Sequence, residues 1–301
     1  MKRVLKSSDV RAARRRLLGF VAGLFVLCCL FVGGLTDWFQ LALRSNLHSH
    51  TLIIPVVTIF LIVTERKSNN GGFCSTLWLG LPMLGLCLGG WLFGLSNQAF
   101  NTGVHHVSLQ LGFFLAGVWA LTLTFFGLGW VRSAFFPLAF LSFMLPMPEV
   151  VEQGLEQWLI TASAQVSEMI LRLGGIPVFR EGQLLELPGV TLEVAEECSG
   201  IRSSWVLLIT SVLAGYLFLR TLPSRLILVA VVLPLGVLRN AVRIAVIGWL
   251  CVEEGPELID GWIHRKGGPF FFAASLIPLL LIALMLGKLE TRWLSKSNQS
   301  R

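Results

Sequence analysis

Cys198 stands in the stretch LEVAEECSGIRSS, residues 192–204, behind Glu196 and Glu197 and ahead of a long apolar run. A cysteine acts as a nucleophile only as the thiolate, and a helix N-terminus or a nearby cation lowers its pKa. Ser199-Gly200 fit a tight turn that would expose the sulfur at the head of a helix. Arg202, one turn on, would supply the cation, whereas the two glutamates act in the opposite direction if they face the sulfur. The structural alternative is a disulfide, for which Cys251 is the one plausible partner. Cys28, Cys29, Cys74 and Cys87 show no metal-like spacing and read as small buried hydrophobes or, for Cys74, a loop residue.

A second group interrupts LPLGVLRNAVRIAVIGWL, residues 233–250, where Arg239, Asn240 and Arg243 break an apolar segment. Arg239 and Arg243 are four apart and share a helix face. A charge at mid-bilayer costs at least ~2.5–3.5 kcal/mol, so such residues face a bundle interior or a wet cavity. The structural alternative is snorkelling or an ion pair. If the helix leaves the membrane near Glu253, Arg243 lies roughly 15 Å deep. His264 follows in EEGPELIDGWIHRKGGPFFF, residues 253–272, just before the last apolar run. His48, His50, His105 and His106 form two close pairs, but no cysteine or acid lies at ligand spacing beside them, so no metal is expected.

The elements that must position these residues are membrane helices. Of 301 residues, 54% are hydrophobic and 14% charged, and the mean hydropathy is +0.75. Soluble domains carry about 25% charged residues. The apolar runs are long enough to cross a hydrocarbon layer as helices and do not alternate as barrel strands would. Eight spans are expected: 17–36, 51–64, 77–95, 107–126, 133–147, 201–219, 225–252 and 269–287, the seventh with a kink at Pro234. The fold class is therefore an all-α polytopic membrane protein, a bundle of about eight transmembrane helices.

The net charge of +7 is unevenly placed. Seven basic residues precede residue 17, and a cytoplasmic start puts 16 of the 24 Lys+Arg in inner segments. That distribution argues for membrane orientation rather than nucleic-acid binding. Both termini are expected in the cytoplasm of an inner-membrane, multi-pass protein. No A-x-A cleavage site closes the first run, so it reads as an uncleaved span rather than a signal peptide. Five parts follow: a basic N-terminus, 1–16; N-terminal helices, 17–147; an extracytoplasmic segment, 148–200; C-terminal helices, 201–287; and a cytoplasmic tail, 288–301. Within 148–200, residues 149–173 have the periodicity of a surface-lying amphipathic helix. The following IPVFREGQLLELPGVTLEVAEE reads as a small hairpin leading to Cys198.

Glu197-Cys198-Ser199-Gly200-Ile201-Arg202-Ser203, then Asn240-x-x-Arg243-Ile244, then His264 with Gly267-Gly268, resemble the three signature blocks of the exosortase/archaeosortase family. The order of the blocks matches, as does their placement at the outer ends of three late spans. The resemblance extends in hydropathy over roughly residues 75–287. It implies a membrane cysteine transpeptidase without a cofactor. Cys198 would be the nucleophile that forms an acyl-thioester. Arg243 would be the essential arginine, described for the family as a proton donor, with Asn240 beside it. His264 would stabilise the transition state. Arg202 lies in the motif without an assigned step, and Arg239 lies outside it. The implied substrates are secreted proteins with a C-terminal sorting signal: a motif such as Pro-Glu-Pro, a membrane helix and a basic tail. The implied acceptors are water, an amine or hydroxyl, an exopolysaccharide or a lipid.

Physically, Arg243 suits an electrostatic clamp on the oxyanion better than a proton donor, because its pKa lies above ~12. His264, with a reference pKa near ~6.5, suits either base or oxyanion work. The rival classes are a transporter or polysaccharide-export component, whose arginines would bind an anion, and an O-acyltransferase-like enzyme, which would hold a histidine within a span.

Overall fold

The computed structural model describes residues 7–45, 47–65, 76–96, 103–194, 200–255 and 268–299. Two compact units divide the chain, Met1–Glu149 and Val150–Arg301. Both are helical apart from one small sheet.

In the first unit, α1 (Ser7–Leu30) and α2 (Val32–Arg44) meet at Phe31 with a bend of 76°. The bend keeps its backbone bonded: Phe31 N–H donates to Leu27 O at 3.0 Å, and Leu35 N–H to Phe31 O at 2.9 Å. The Phe31 ring is 1% exposed, with centroids 5.3 Å from Trp91 and 6.0 Å from Phe114. Burial of that ring fixes where the helix turns. A 3-10 turn, Ser49–Leu52, precedes α3 (Ile54–Glu65). Next come α4 (Leu77–Ser96) and α5 (Gly103–Phe126). These two approach closely because Gly80 and Gly90 have no Cβ to strike Thr124 and Phe113. Three short pieces follow: α6 (Leu128–Ser133), α7 (Phe135–Phe140) and a 3-10 turn, Leu141–Met144. Pro137 removes an N–H from this run and helps to divide it.

The second unit starts in α8 (Glu149–Leu173), which coincides with the expected amphipathic helix. The expected hairpin is a three-stranded antiparallel meander of β1 (Phe179–Glu181), β2 (Leu184–Leu187) and β3 (Val190–Glu193). Its two reversals are two-residue loops. Gly182 has φ +62 at the first loop position and Gly189 φ +80 after Pro188, the left-handed backbone that these tight turns need. Leu185, Leu187 and Leu192 face inward and join Val194, Ile160 and Leu171 of α8, and Ile244 and Ala245 further on, in one hydrophobic cluster.

The remaining helices are α9 (Ile201–Phe218), α10 (Leu222–Ala230), α11 (Val232–Glu254) and α12 (Gly268–Gln299). α10 and α11 form one continuous apolar stretch, Leu222–Glu254, of 33 residues. Its interruption falls at Val231, three residues before Pro234, because proline has no N–H to offer Ala230 O. α12 outruns the expected end at 287. Glu290, 6% exposed, reaches from it to the start of α10. There its carboxylate accepts the Arg220 and Thr221 N–H groups at 2.9 Å each, and the Thr221 hydroxyl. Glu290 thus acts as an N-cap supplied from another helix.

Among the described residues five helices are long and apolar enough to cross a membrane, or up to seven if two bent pairs each count as one span. The protein is a helical, multi-pass membrane protein. The expected count of eight is not confirmed. The differences lie in 17–36, which is bent at Phe31, in the short helix at 51–64, and in 133–147, which is divided into short pieces.

Glu290→Ala should cost about 1 kcal/mol, since it removes the acceptor of two backbone donors at a part-buried helix start. Thermal unfolding in detergent should show a clear fall in apparent Tm, and an unchanged Tm would remove the capping role.

Candidate active site

α9 starts where the Cys198 block ends. Gly200 is its N-cap, with φ +70 and ψ 11, a left-handed conformation that glycine adopts without strain. The Gly200 carbonyl accepts three donors. Ser204 N–H lies at 2.9 Å, the Ser203 hydroxyl at 3.0 Å, and Arg239 Nη2 at 3.1 Å. Arg239 Nη2 also lies 3.3 Å from Ser204 Oγ. The arginine that the motif left out is therefore the one whose contact with the head of α9 is described. It is 8% exposed, and its Nη1 has no hydrogen-bond partner among the described residues.

Glycine at 200 is needed for contact as well as for φ. A Cβ there would lie 3.0 Å from Arg239 Nη2 and 3.2 Å from both the Asn240 side-chain carbon and its Oδ1. A second glycine serves the same approach from α11: a Cβ on Gly236 would lie 2.6 Å from Ser204 Oγ. Small residues let helix backbones come close inside a membrane, and here they do so beside the buried arginine.

Asn240, 3% exposed, donates from Nδ2 to Ser163 Oγ of α8 at 3.1 Å. One turn along α8, the Ser167 hydroxyl lies 2.6 Å from Ser163 O and 3.2 Å from Ala241 O. Ser163 and Ser167 are both fully buried. Sequence reasoning missed this pair. The available signal was two serines four apart on the inward face of an otherwise amphipathic helix. The segment 149–173 is thus docked on α11 through a polar seam, with the sheet closing one side. Beyond the seam, a Cβ on Gly248 would meet Leu192 at 3.1 Å and Leu187 at 3.2 Å.

Arg243, half-buried, lies one turn beyond Arg239, and Arg202 is exposed in the first turn of α9. Cys198, Glu196, Glu197 and His264 lie outside the described residues. Cys251, the candidate disulfide partner, is a free thiol, 3% exposed, near the end of α11. The histidines at 48 and 50 hold a local turn: His48 Nδ1 lies 3.0 Å from Ser45 Oγ, and His50 Nδ1 2.8 Å from Leu47 O. Burial lowers the His48 pKa below the ordinary histidine value.

The geometry defines a multi-pass membrane protein with a buried polar cluster where three helices converge. The family model for the transmembrane exosortases matches residues 38–281. The chain belongs to the transmembrane exosortase family, and the match takes in all three sequence blocks. Family membership supports a membrane transpeptidase role with secreted proteins as substrates. No curated protein and no solved structure matches the chain.

Gly200→Ala should destabilise the protein more than Gly175→Ala, by about 1–2 kcal/mol. Both glycines have positive φ, +70 and +82, but a Cβ at 175 meets nothing within 4 Å. The backbone cost is common to both variants, so their difference in apparent Tm isolates the contact with Arg239 and Asn240. Equal losses would mean that those side chains give way freely.

Proposed function

We propose that the protein cleaves C-terminal sorting signals of secreted proteins through an acyl-thioester on Cys198, at the outer face of the cytoplasmic membrane. The family match over residues 38–281 carries the reading. The tie between Gly200 and α11 supports it. Cys198 lies two residues before Gly200, a covalent reach of at most ~7 Å. Gly200 O is bonded to Arg239, one turn from Arg243 on α11.

In this mechanism the Cys198 thiolate attacks the scissile carbonyl carbon. The C–S bond forms as the carbonyl π pair moves to oxygen. Arg243 holds the resulting oxyanion, a kind of interaction worth ~2.7–4 kcal/mol in comparable sites. His264 takes the thiol proton and returns it to the amide nitrogen as the C–N bond breaks, releasing the membrane helix and basic tail. Water or an acceptor amine or hydroxyl then attacks the thioester and regenerates the thiol. Asn240, fixed by Ser163, keeps the arginine helix in register against α8. Arg202, exposed at the head of α9, adds positive charge near the reacting end. A membrane-held substrate is confined to the same layer as the enzyme, which raises its effective concentration.

A co-expressed secreted protein with a Pro-Glu-Pro-type signal should be shortened by the unmodified protein and left intact by Cys198→Ala at equal membrane abundance. Equal processing by both would remove Cys198 as nucleophile and favour a transport or binding role. Arg243→Gln should slow processing by roughly 10²–10³-fold, the loss typical of a missing oxyanion donor. In intact cells stripped of their outer layers, a membrane-impermeant thiol reagent should label Cys198. Labelling only after the cells are opened would invert the orientation.

A further inference from the structure

The first unit holds a cavity of about 440 Å³, remote in sequence from the three signature blocks. Its lining comes from α1, α2, α3 and α5 and the short helices that follow, and it includes no charged side chain. Two polar atoms in this lining are buried without a hydrogen-bond partner among the described residues: Trp38 Nε1 and Thr58 Oγ1.

Thr58 departs from the habit of the chain. The helical threonines Thr64, Thr122, Thr124, Thr161 and Thr210 each donate their hydroxyl to the carbonyl four residues back. Thr58 is 3% exposed, lies in the middle of α3 and does not. An unsatisfied hydroxyl or indole N–H is costly inside a protein and more so in hydrocarbon, where water cannot serve it. Both groups can donate, so the missing partner is an acceptor. With no cation in the lining, that acceptor is neutral.

Chemistry limits the rest of the ligand. A substrate's membrane helix has its carbonyls bonded within itself and offers these donors no free acceptor. A flexible aliphatic chain fits the space and the apolar walls. We propose that this cavity binds the acyl chain of a membrane glycerolipid, with the ester oxygens accepting from Trp38 Nε1–H and Thr58 Oγ1–H. The site is independent of the catalytic reading, and its phosphate headgroup would lie outside the uncharged lining.

The full-length protein is reconstituted in vesicles of phosphatidylcholine that carries a diazirine on one acyl chain. After irradiation, the labelled residues are mapped by mass spectrometry. Label should concentrate on the buried lining residues Leu115, Leu141 and Met144, relative to Leu86, which is 77% exposed. Trp38→Phe combined with Thr58→Val should lower the lining label by at least about fivefold, the ratio expected for one of the two hydrogen bonds lost, and leave Leu86 unchanged. An ether-linked probe lacks the carbonyl and should label the lining of the unmodified protein less than the ester-linked one, which needs no variant at all. Lining label no greater than at Leu86, or equal lining label by ester and ether probes, would overturn the proposal.

Discussion

The second unit depends on how a guanidinium is accommodated inside a membrane-crossing helix. Arg239 sits on α11 at 8% exposure, where an unaccompanied charge would be expelled or would unfold its surroundings. Its described partners are a backbone carbonyl, Gly200 O, at the start of another helix, and Ser204 Oγ one turn into that helix. A carbonyl has two lone pairs. Here one serves the first helical bond of α9, and the other is left for side-chain donors. That arrangement works only if the arginine helix approaches the head of α9 within hydrogen-bond distance. Two glycines permit the approach: Gly200 removes a Cβ on one side and Gly236 on the other. The left-handed turn at Gly200 then sets the direction in which the chain enters α9.

The rest of the second unit supports that junction. Asn240 and Ala241 meet two fully buried serines of α8. Hydrogen bonds in such surroundings are directional, so they fix the rotation of α11 as well as its position. The meander covers the far side with Leu185, Leu187 and Leu192, and its last strand is followed directly by the segment that carries Cys198. At the other end of the unit, Glu290 caps α10 from α12. Polar groups in this unit thus connect pairs of helices, whereas the apolar clusters provide the dry setting that gives those bonds weight.

The first unit is built by different means. Aromatic packing around Phe31 and glycine-mediated contact between α4 and α5 account for much of its core. Its bends keep their backbone hydrogen bonds satisfied, as a chain in lipid requires. Its short helices leave a cavity rather than a filled interior.

The sequence by itself determined the membrane class, because long apolar runs with few charges have no other stable setting. It also sets the ends of α8 through helical periodicity, and both reversals of the sheet through Gly182 and Pro188-Gly189, although the pattern by itself reads as one hairpin rather than two. The signature blocks around Cys198, Arg243 and His264 were legible as residue types at recognisable spacing. The bend at Phe31 was not, since it depends on an aromatic pocket assembled from Trp91 and Phe114, far along the chain. Nor was the place of Arg239, which falls outside the local motif. Its bond to Gly200 joins residues 39 apart in sequence, and Asn240 to Ser163 joins residues 77 apart. Local pattern records which side chains need partners. Only the packing of α8, α9 and α11 decides which partners they find, because hydrogen bonds form over a few ångströms of space whatever the distance along the chain.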